Sequence, residues 1–526
     1  MINQRDYQPP RTRWEEWVHK YLRNRRAWLV YGTIAVLVAA FFVVRAELPR
    51  PPAPRPPCPG NLVPADDGNP KDCAGLTDGS FVFSPALASV EGKIYTENEQ
   101  VAKQAAAQNE RWVAIAYMIP LTLNQTSPET VEGVTDEIEG AYTGQWEANN
   151  EHALYGDVPL IKLYLVNEGA EYSKWQVAVD QILAATRDSL HVVAVAGLGD
   201  SVIETRDAAQ EMSASNVRLA MFGTSITADD LNGSLYPTLA RIAPTNADEV
   251  RAALAFIPRV QGHGATAMVV KDTDTSDDYV RDWANDVTKL YPGAGHLFVS
   301  GPATFDPTLP NVDDVLQGDA EVACEQRPDV VFFAGRAKQL EVFVGALGAD
   351  CSTPITVMSG DDDLIDQGTG DDPDDYTLFN DALSGGVVSL YSTELASAQE
   401  WSGCGGSVPP SQDLAARQFP QFEKDYKLLL GQQLTSLPDA SGVMLGRDAV
   451  ITAVKAIRLP NTEPGVKEVT GNLALMKFNP VSGATGMITI GNDGPTTGDA
   501  LDKSLVIVQH VHSAVGSEQC RAVEVP

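Results

Sequence analysis

Between residues 110 and 391, short apolar runs alternate with segments of helical period, and this alternation restricts the fold more tightly than anything else in the chain. A first set of runs covers 112–117 (WVAIAY), 160–166 (LIKLYLV), 191–196 (HVVAVA) and 217–222 (VRLAMF). A second set covers 265–270 (ATAMVV), 296–299 (HLFV), 330–334 (VVFFA), 355–358 (ITVM) and 387–391 (VVSLY). Near-continuous apolar runs of this length fit strands buried on both faces. Between them, Trp175, Ala178, Val179, Ile182 and Leu183 repeat at helical spacing, as do Val250, Ala253, Leu254 and Ile257. Val280, Trp283, Ala284 and Val287 do the same, and so do Leu340, Phe343, Val344 and Leu347. Repeated strand–helix units build parallel sheets with helices on both faces. Two sets predict an α/β protein of two Rossmann-like lobes with parallel sheets.

In open parallel sheets a ligand sits beyond the carboxyl ends of the strands, so the residues after each run matter most. After 191–196 comes Gly197-Leu198-Gly199-Asp200-Ser201, and after 217–222 comes Gly223-Thr224-Ser225-Ile226-Thr227. Hydroxyls at helix starts, with free amides beside them, favour an anion. After 265–270 the chain reads Lys271-Asp272-Thr273-Asp274-Thr275-Ser276, and after 355–358 it reads Ser359-Gly360-Asp361-Asp362-Asp363. This second pair is rich in carboxylates. Facing the first across a cleft, it suits a ligand with a carboxylate at one end and an ammonium at the other. Plain N-capping also calls for Ser, Thr and Asp at these places, and that explanation stays open for each residue.

These segments resemble the type I periplasmic binding proteins, specifically the branched-chain amino-acid-binding receptors of ABC transporters. The similarity spans roughly 110–515 and is clearest over 221–257 (MFGTSITADDLNGSLYPTLARIAPTNADEVRAALAFI). GATAMVVKDTDTSDDYVRDWANDV and DVVFFAGRAKQLEVFVGAL are similar to that family's second-lobe units. The resemblance implies that Ser201 and Thr227, with Thr224 and Ser225 adjacent, meet the ligand carboxylate, and that Asp361 meets its ammonium. Asp272, Asp274 and Ser276 complete the expected ligand set. Two positions depart from the family's pattern. Polar and acidic residues around Ser276 replace an aromatic, and Asn246 stands where an acidic residue marks the lobe crossing. Both argue against a plain branched-chain amino acid. The implied layout is lobe one at 110–243 and 376–475, and lobe two at 247–360 and 476–515. Hinge closure over the ligand is the implied motion.

The N-terminus adds a membrane element. Residues 1–26 carry Arg5, Arg11, Arg13, Lys20, Arg23, Arg25 and Arg26, and 27–44 (AWLVYGTIAVLVAAFFVV) carries no charge. Eighteen helical residues rise about 27 Å, close to the hydrocarbon thickness of a bilayer. The basic flank predicts a cytoplasmic tail at 1–26 and an extracytoplasmic remainder. A transmembrane anchor at 27–44 is favoured over a cleaved signal peptide, because the apolar run and the basic head are both long. The Pro-rich stretch within 45–80 predicts a stiff stalk. All six cysteines (Cys58, Cys73, Cys324, Cys351, Cys404, Cys520) follow the span, which predicts disulfides in an oxidising setting. Fifteen connectivities are open. The pairing adopted joins Cys58 to Cys73, Cys324 to Cys351 and Cys404 to Cys520. Cys324 and Cys351 each precede neighbouring strands, so both fall at one sheet edge.

The net charge of −32 excludes nucleic acid as a partner, since phosphate binding needs clustered Lys and Arg. It biases the chain toward cationic ligands. The Asp-rich run at 272–276 lacks the Gly and Glu of a calcium loop, having Asp277 and Trp283 in their places. No nucleophile elbow, zinc-protease helix, P-loop or dinucleotide fingerprint occurs. The expectation is therefore a binding protein and not an enzyme, with no cofactor and no metal. Its ligand is an amino acid or amino-acid-like amine, taken for uptake or sensing, with a transporter or signalling protein as a further partner. A membrane-anchored scaffold that binds no ligand is the alternative.

Overall fold

The computed structural model describes residues 58–65, 72–124, 127, 129–151, 156–262, 264–293, 295–362, 373–398, 413–437, 440–459, 464–510 and 519–523. The expected anchor at 27–44 lies outside these residues. Among the described residues, no helix is long and apolar enough to cross a membrane.

Seven strands form the first sheet: β1 (Val63–Pro64), β2 (Cys73–Thr77), β3 (Trp112–Ile119), β4 (Leu160–Asn167), β5 (Val192–Gly197), β6 (Ala220–Gly223) and β7 (Leu239–Arg241). Their order is β1-β2-β4-β3-β5-β6-β7. From β4 to β7 all neighbours are parallel, and β2 closes the edge antiparallel to β4. The second sheet contains β8 (Thr266–Asp272), β9 (Leu297–Phe298), β10 (Ala303–Phe305), β11 (Val330–Ala334), β12 (Ile355–Ser359) and β13 (Val388–Glu394). Its order is β10-β8-β11-β12-β13-β17-β18, with β9 also on β8 and with β17 (Leu505–His510) and β18 (Gln519–Val523) antiparallel at the far edge. A small antiparallel sheet of β14 (Val481–Gly483), β15 (Gly486–Ile490) and β16 (Ala500–Leu501) packs on the first lobe through Val481, Ile488 and Ile490.

The apolar runs are continuous because both faces of each sheet are covered. Ile115, Tyr117 and Ile119 enter one core of lobe one, while Ala114, Ala116 and Met118 enter the other. In lobe two, Ala267 and Val269 oppose Met268 and Val270 in the same period-two split. Helices supply the other half of each core. One of them, Asn246–Gln261, starts at Thr245, whose side chain accepts from the Asp248 amide while Asp248 reaches back to the Thr245 amide. In lobe one the helices Val131–Asn150 and Ser441–Ile457 touch backbone to backbone. A Cβ at Gly446 would stand 2.1 Å from the Glu137 carbonyl oxygen, and one at Gly140 would stand 2.0 Å from that of Val443.

Several expected boundaries move. β13 pairs in parallel with β12, so the second crossing between lobes follows Glu394 and not residue 376. Residues 476–501 belong with lobe one, and the return to lobe two comes at β17. An apolar run reveals a buried strand but not which sheet receives it. Part of the expected stalk belongs to lobe one. β2 pairs with β4 from Gly75↔Asn167 to Thr77↔Leu165, and Cys58 and Cys73 are disulfide-bonded, so 58–65 and 72–80 join that lobe. Cys324 and Cys351 form the second disulfide. The pairing of Cys404 with Cys520 falls outside the described residues.

Candidate functional site

Both lobes present their topological switch points to each other. In the order β4-β3-β5 the chain reverses between β3 and β5, and in β10-β8-β11 it reverses between β8 and β11. The loop after β5 carries Asp200 and Ser201, the loop after β8 carries Asp277, and the turn after β11 carries Arg336. These segments meet. Ile203 donates its amide to the Ser276 carbonyl at 2.9 Å. The Ser201 carbonyl accepts from the amides of Asp278 at 3.0 Å and Tyr279 at 3.1 Å. The lobes are thus closed on one another along 200–203 and 276–279.

Arg336 lies at the centre of the contact. Its Nε donates to Asp277 Oδ2 at 2.7 Å, and its Nη1 reaches Asp200 Oδ2 at 3.2 Å and Asp362 Oδ2 at 3.1 Å. The guanidinium stacks over the Tyr279 ring at 4.8 Å. The Tyr279 hydroxyl accepts the Asp362 amide at 3.2 Å. That approach requires glycine at 360, where a Cβ would stand 2.2 Å from the Tyr279 oxygen. One guanidinium therefore ties lobe one (Asp200) to two loops of lobe two (Asp277 and Asp362).

Burial raises the proton affinity of the carboxyls around this contact. Asp361, with its Oδ1 sealed and accepting no hydrogen bond, is pushed up to about 7 by burial and then by Asp362. Asp362 rises to about 6, again through burial first. Fully buried Glu249 is raised well above the usual carboxylate range by burial and by Asp361, and it accepts from the Thr393 hydroxyl at 2.6 Å. In lobe one, Glu137 rises to about 7 through burial, although it accepts from the hydroxyls of Tyr117 at 2.7 Å and Thr224 at 2.9 Å. Glu129 rises to about 8 through burial and Asp200, while accepting from the Tyr172 hydroxyl. Glu168 is fully buried and neither of its oxygens accepts a hydrogen bond. Burial raises it well above the ordinary value, with Glu129 and Glu204 adding to the effect. A carboxylate kept from water without a partner is costly, and a cation brought beside it removes that cost.

The expected ligand residues divide into two groups. Ser201, Thr227 and Asp361 do lie at the lobe contact. The Ser201 hydroxyl, however, accepts the amides of Thr227 at 3.0 Å and Ala228 at 3.1 Å, so the donors expected to greet an anion are already used. The buried Thr227 hydroxyl has no partner. Thr224 serves Glu137, and Ser225 donates to the Gly199 carbonyl at 3.1 Å. Asp272, Asp274 and Ser276 form a self-bonded turn: Asp272 accepts the Asp274 amide at 2.7 Å, and Asp274 accepts the Ser276 hydroxyl at 2.7 Å. Asn246 joins the lobes, with its side chain donating to the Tyr279 carbonyl at 2.8 Å and its amide to that of Thr227 at 2.8 Å.

Sequence reasoning missed Arg336, Glu168, Glu129 and Tyr172. Two of them follow strands directly, where a ligand sits in open parallel sheets. Glu168 directly follows β4, and Gly335-Arg336 directly follows β11. Leu198, also after a strand, holds φ +74, a left-handed conformation that costs a non-glycine residue on the order of 1 kcal/mol and concentrates at functional sites. A pocket of about 130 Å3 lies elsewhere, against Cys324, Cys351, Gln261 and Asp329 at the amino end of the second sheet. Among the described residues, no three His, Cys, Asp or Glu side chains are placed to hold a metal ion.

No family model matches the sequence, and no curated protein matches it. Solved structures do match. The leucine-binding protein LivK of Thermotoga maritima is 18% identical, with a TM-score of 0.54, over 79% of this chain and 99% of its own. LivJ of Streptococcus pneumoniae, a branched-chain amino acid transporter substrate-binding protein in complex with isoleucine, is 16% identical, with a TM-score of 0.55, over 78% of this chain and 100% of its own. A solute-binding protein of an ABC transporter from Rhodopseudomonas palustris, in complex with 3,4-dihydroxybenzoic acid, is 15% identical, with a TM-score of 0.52, over 79% and 98%. The chain has the type I periplasmic-binding-protein fold, and the same fold holds both an amino acid and an aromatic acid.

Proposed function

We propose that the chain is a membrane-anchored receptor whose two lobes capture a small amine-bearing ligand outside the cytoplasm and do no chemistry on it. The observation that carries this reading is Asp361. It is a carboxyl at the lobe contact with an oxygen that accepts no hydrogen bond, beside an ion network centred on Arg336. An ammonium donating to Asp361 makes a charge-assisted bond and relieves buried repulsion together. The solved structures with this fold are binding proteins by their own descriptions, which favours capture over catalysis. The basic tail and the apolar 27–44 segment support single-pass anchorage, and the two disulfides fit an oxidising compartment. Uptake through a transporter and sensing through a signalling partner both fit this placement.

A second reading is an anchored scaffold that keeps the fold and binds nothing. It draws on Arg336, which already holds Asp200 to Asp277 and Asp362 across the lobes. A thermal-shift screen of the full chain against amino acids and amines separates the two. Binding to the folded state alone raises the midpoint, by about 2.7 kcal/mol of stability at one hundred times Kd. The receptor reading expects a shift that Asp361→Ala abolishes. A flat screen favours the scaffold.

A further inference from the structure

We infer that lobe one supplies a second cation-binding position, formed by Glu168 and Glu129 at the carboxyl ends of β4 and β3, so that the preferred ligand carries two separated ammonium groups, as a linear diamine or polyamine does. This rests on the reading that Asp361 takes an amine, and it adds a second pole to it.

Glu168 carries the inference. Its side chain is fully buried, and neither carboxyl oxygen has a hydrogen-bond partner. Glu129 beside it has one oxygen sealed and unpartnered. The other takes the Tyr172 hydroxyl, and that hydroxyl in turn accepts the Asp200 amide at 2.7 Å. Tyr172 is thus committed and has no proton left for Glu168. Burial acts most strongly on Glu168, and the neighbours that add to it, Glu129 and Glu204, are both acids. Arg336 does not fill the gap, because its ion pairs go to Asp200, Asp277 and Asp362.

Lobe two holds the matching pole, where Asp361 and Glu249 face each other and neither Asp361 Oδ1 nor Glu249 Oε1 accepts from an N–H or hydroxyl of another residue. The Arg336 charge acts on an acid of each pole, Glu129 in lobe one and Asp361 in lobe two. A zwitterionic amino acid satisfies one pole and sets its carboxylate against acids at the other. The lobe-one amides that would bind that carboxylate are held by Ser201. A metal ion suits the site poorly, since the described residues offer no cluster of three ligands. An ammonium at each end of a flexible chain neutralises both poles.

The test is titration calorimetry on the full chain in mild detergent, with 1,4-diaminobutane, 1-aminobutane and leucine as probes. The diamine is expected to bind on the order of tenfold more tightly than the monoamine, the worth of one added charge-assisted hydrogen bond. Glu168→Gln should bring that ratio to about one. Should this variant fail to fold, Glu129→Gln is read by the same ratio. Equal binding of diamine and monoamine, with both lost in Asp361→Ala, overturns the second pole and leaves the amine receptor standing. Binding of leucine without the diamine also overturns it. Absence of binding by every amine and by leucine removes both readings.

Discussion

Glu168 concentrates the residue-scale argument. The fold seals an acid from water and gives it no partner. Its proton affinity is raised in the folded chain, so the folded form keeps a proton that the unfolded form releases. The stability that proton confers is present at low pH and is lost as pH rises through the folded value. Glu168→Gln should therefore raise the thermal midpoint of the unliganded protein at pH 8, by on the order of 1 kcal/mol of stability, with a smaller effect at pH 5. A substitution that destabilises equally at both pH values contradicts this account. Asp361 and Ser201 were both legible as strand-end residues. The state of each side chain was not. Sequence places a hydroxyl beside two amides, but only the folded turn shows that Ser201 already accepts both. Arg336 and Glu168 obey the same strand-end rule, after β11 and β4.

At the scale of elements, the parallel strands were legible because buried strands must be apolar on both sides. What stayed hidden was assignment. By chain order the run at 387–391 falls in the second set, and the pairing from Ile355↔Val388 to Ser359↔Ser392 puts β13 in lobe two, against the layout that the resemblance implies. β2 was lost inside a presumed stalk, since CAGLT is short and broken by glycine. The helix pair of lobe one rests on a contact that sequence periodicity does not reveal, namely glycines that bring two backbones together. Gly446→Ala should cost about 1–3 kcal/mol in urea unfolding, because the Glu137 carbonyl blocks the new methyl and neither helix backbone can yield cheaply. A loss below a few tenths of a kcal/mol means the helices slide apart without penalty.

At the scale of the whole molecule, acid accumulates where the lobes meet. Glu129 at about 8, Glu137 and Asp361 at about 7 and Asp362 at about 6 all lie above their ordinary values, chiefly through burial. Each gives stability that is fully present below about pH 4 and is lost as pH rises through these values. The unliganded protein should therefore melt at a lower temperature at pH 8 than at pH 5, and a rising or flat profile contradicts the assignment. Amine binding should run the opposite way, strengthening with pH as the carboxyls ionise. β2 and the Cys58–Cys73 disulfide lie ahead of residue 80, so measurements belong on the full chain. The most direct test of the receptor reading is titration of that chain at pH 8 with amines and amino acids, repeated with Asp361→Ala. The account predicts saturable binding of an amine that the substitution abolishes. Binding unaffected by Asp361→Ala, or no binding at all, contradicts it.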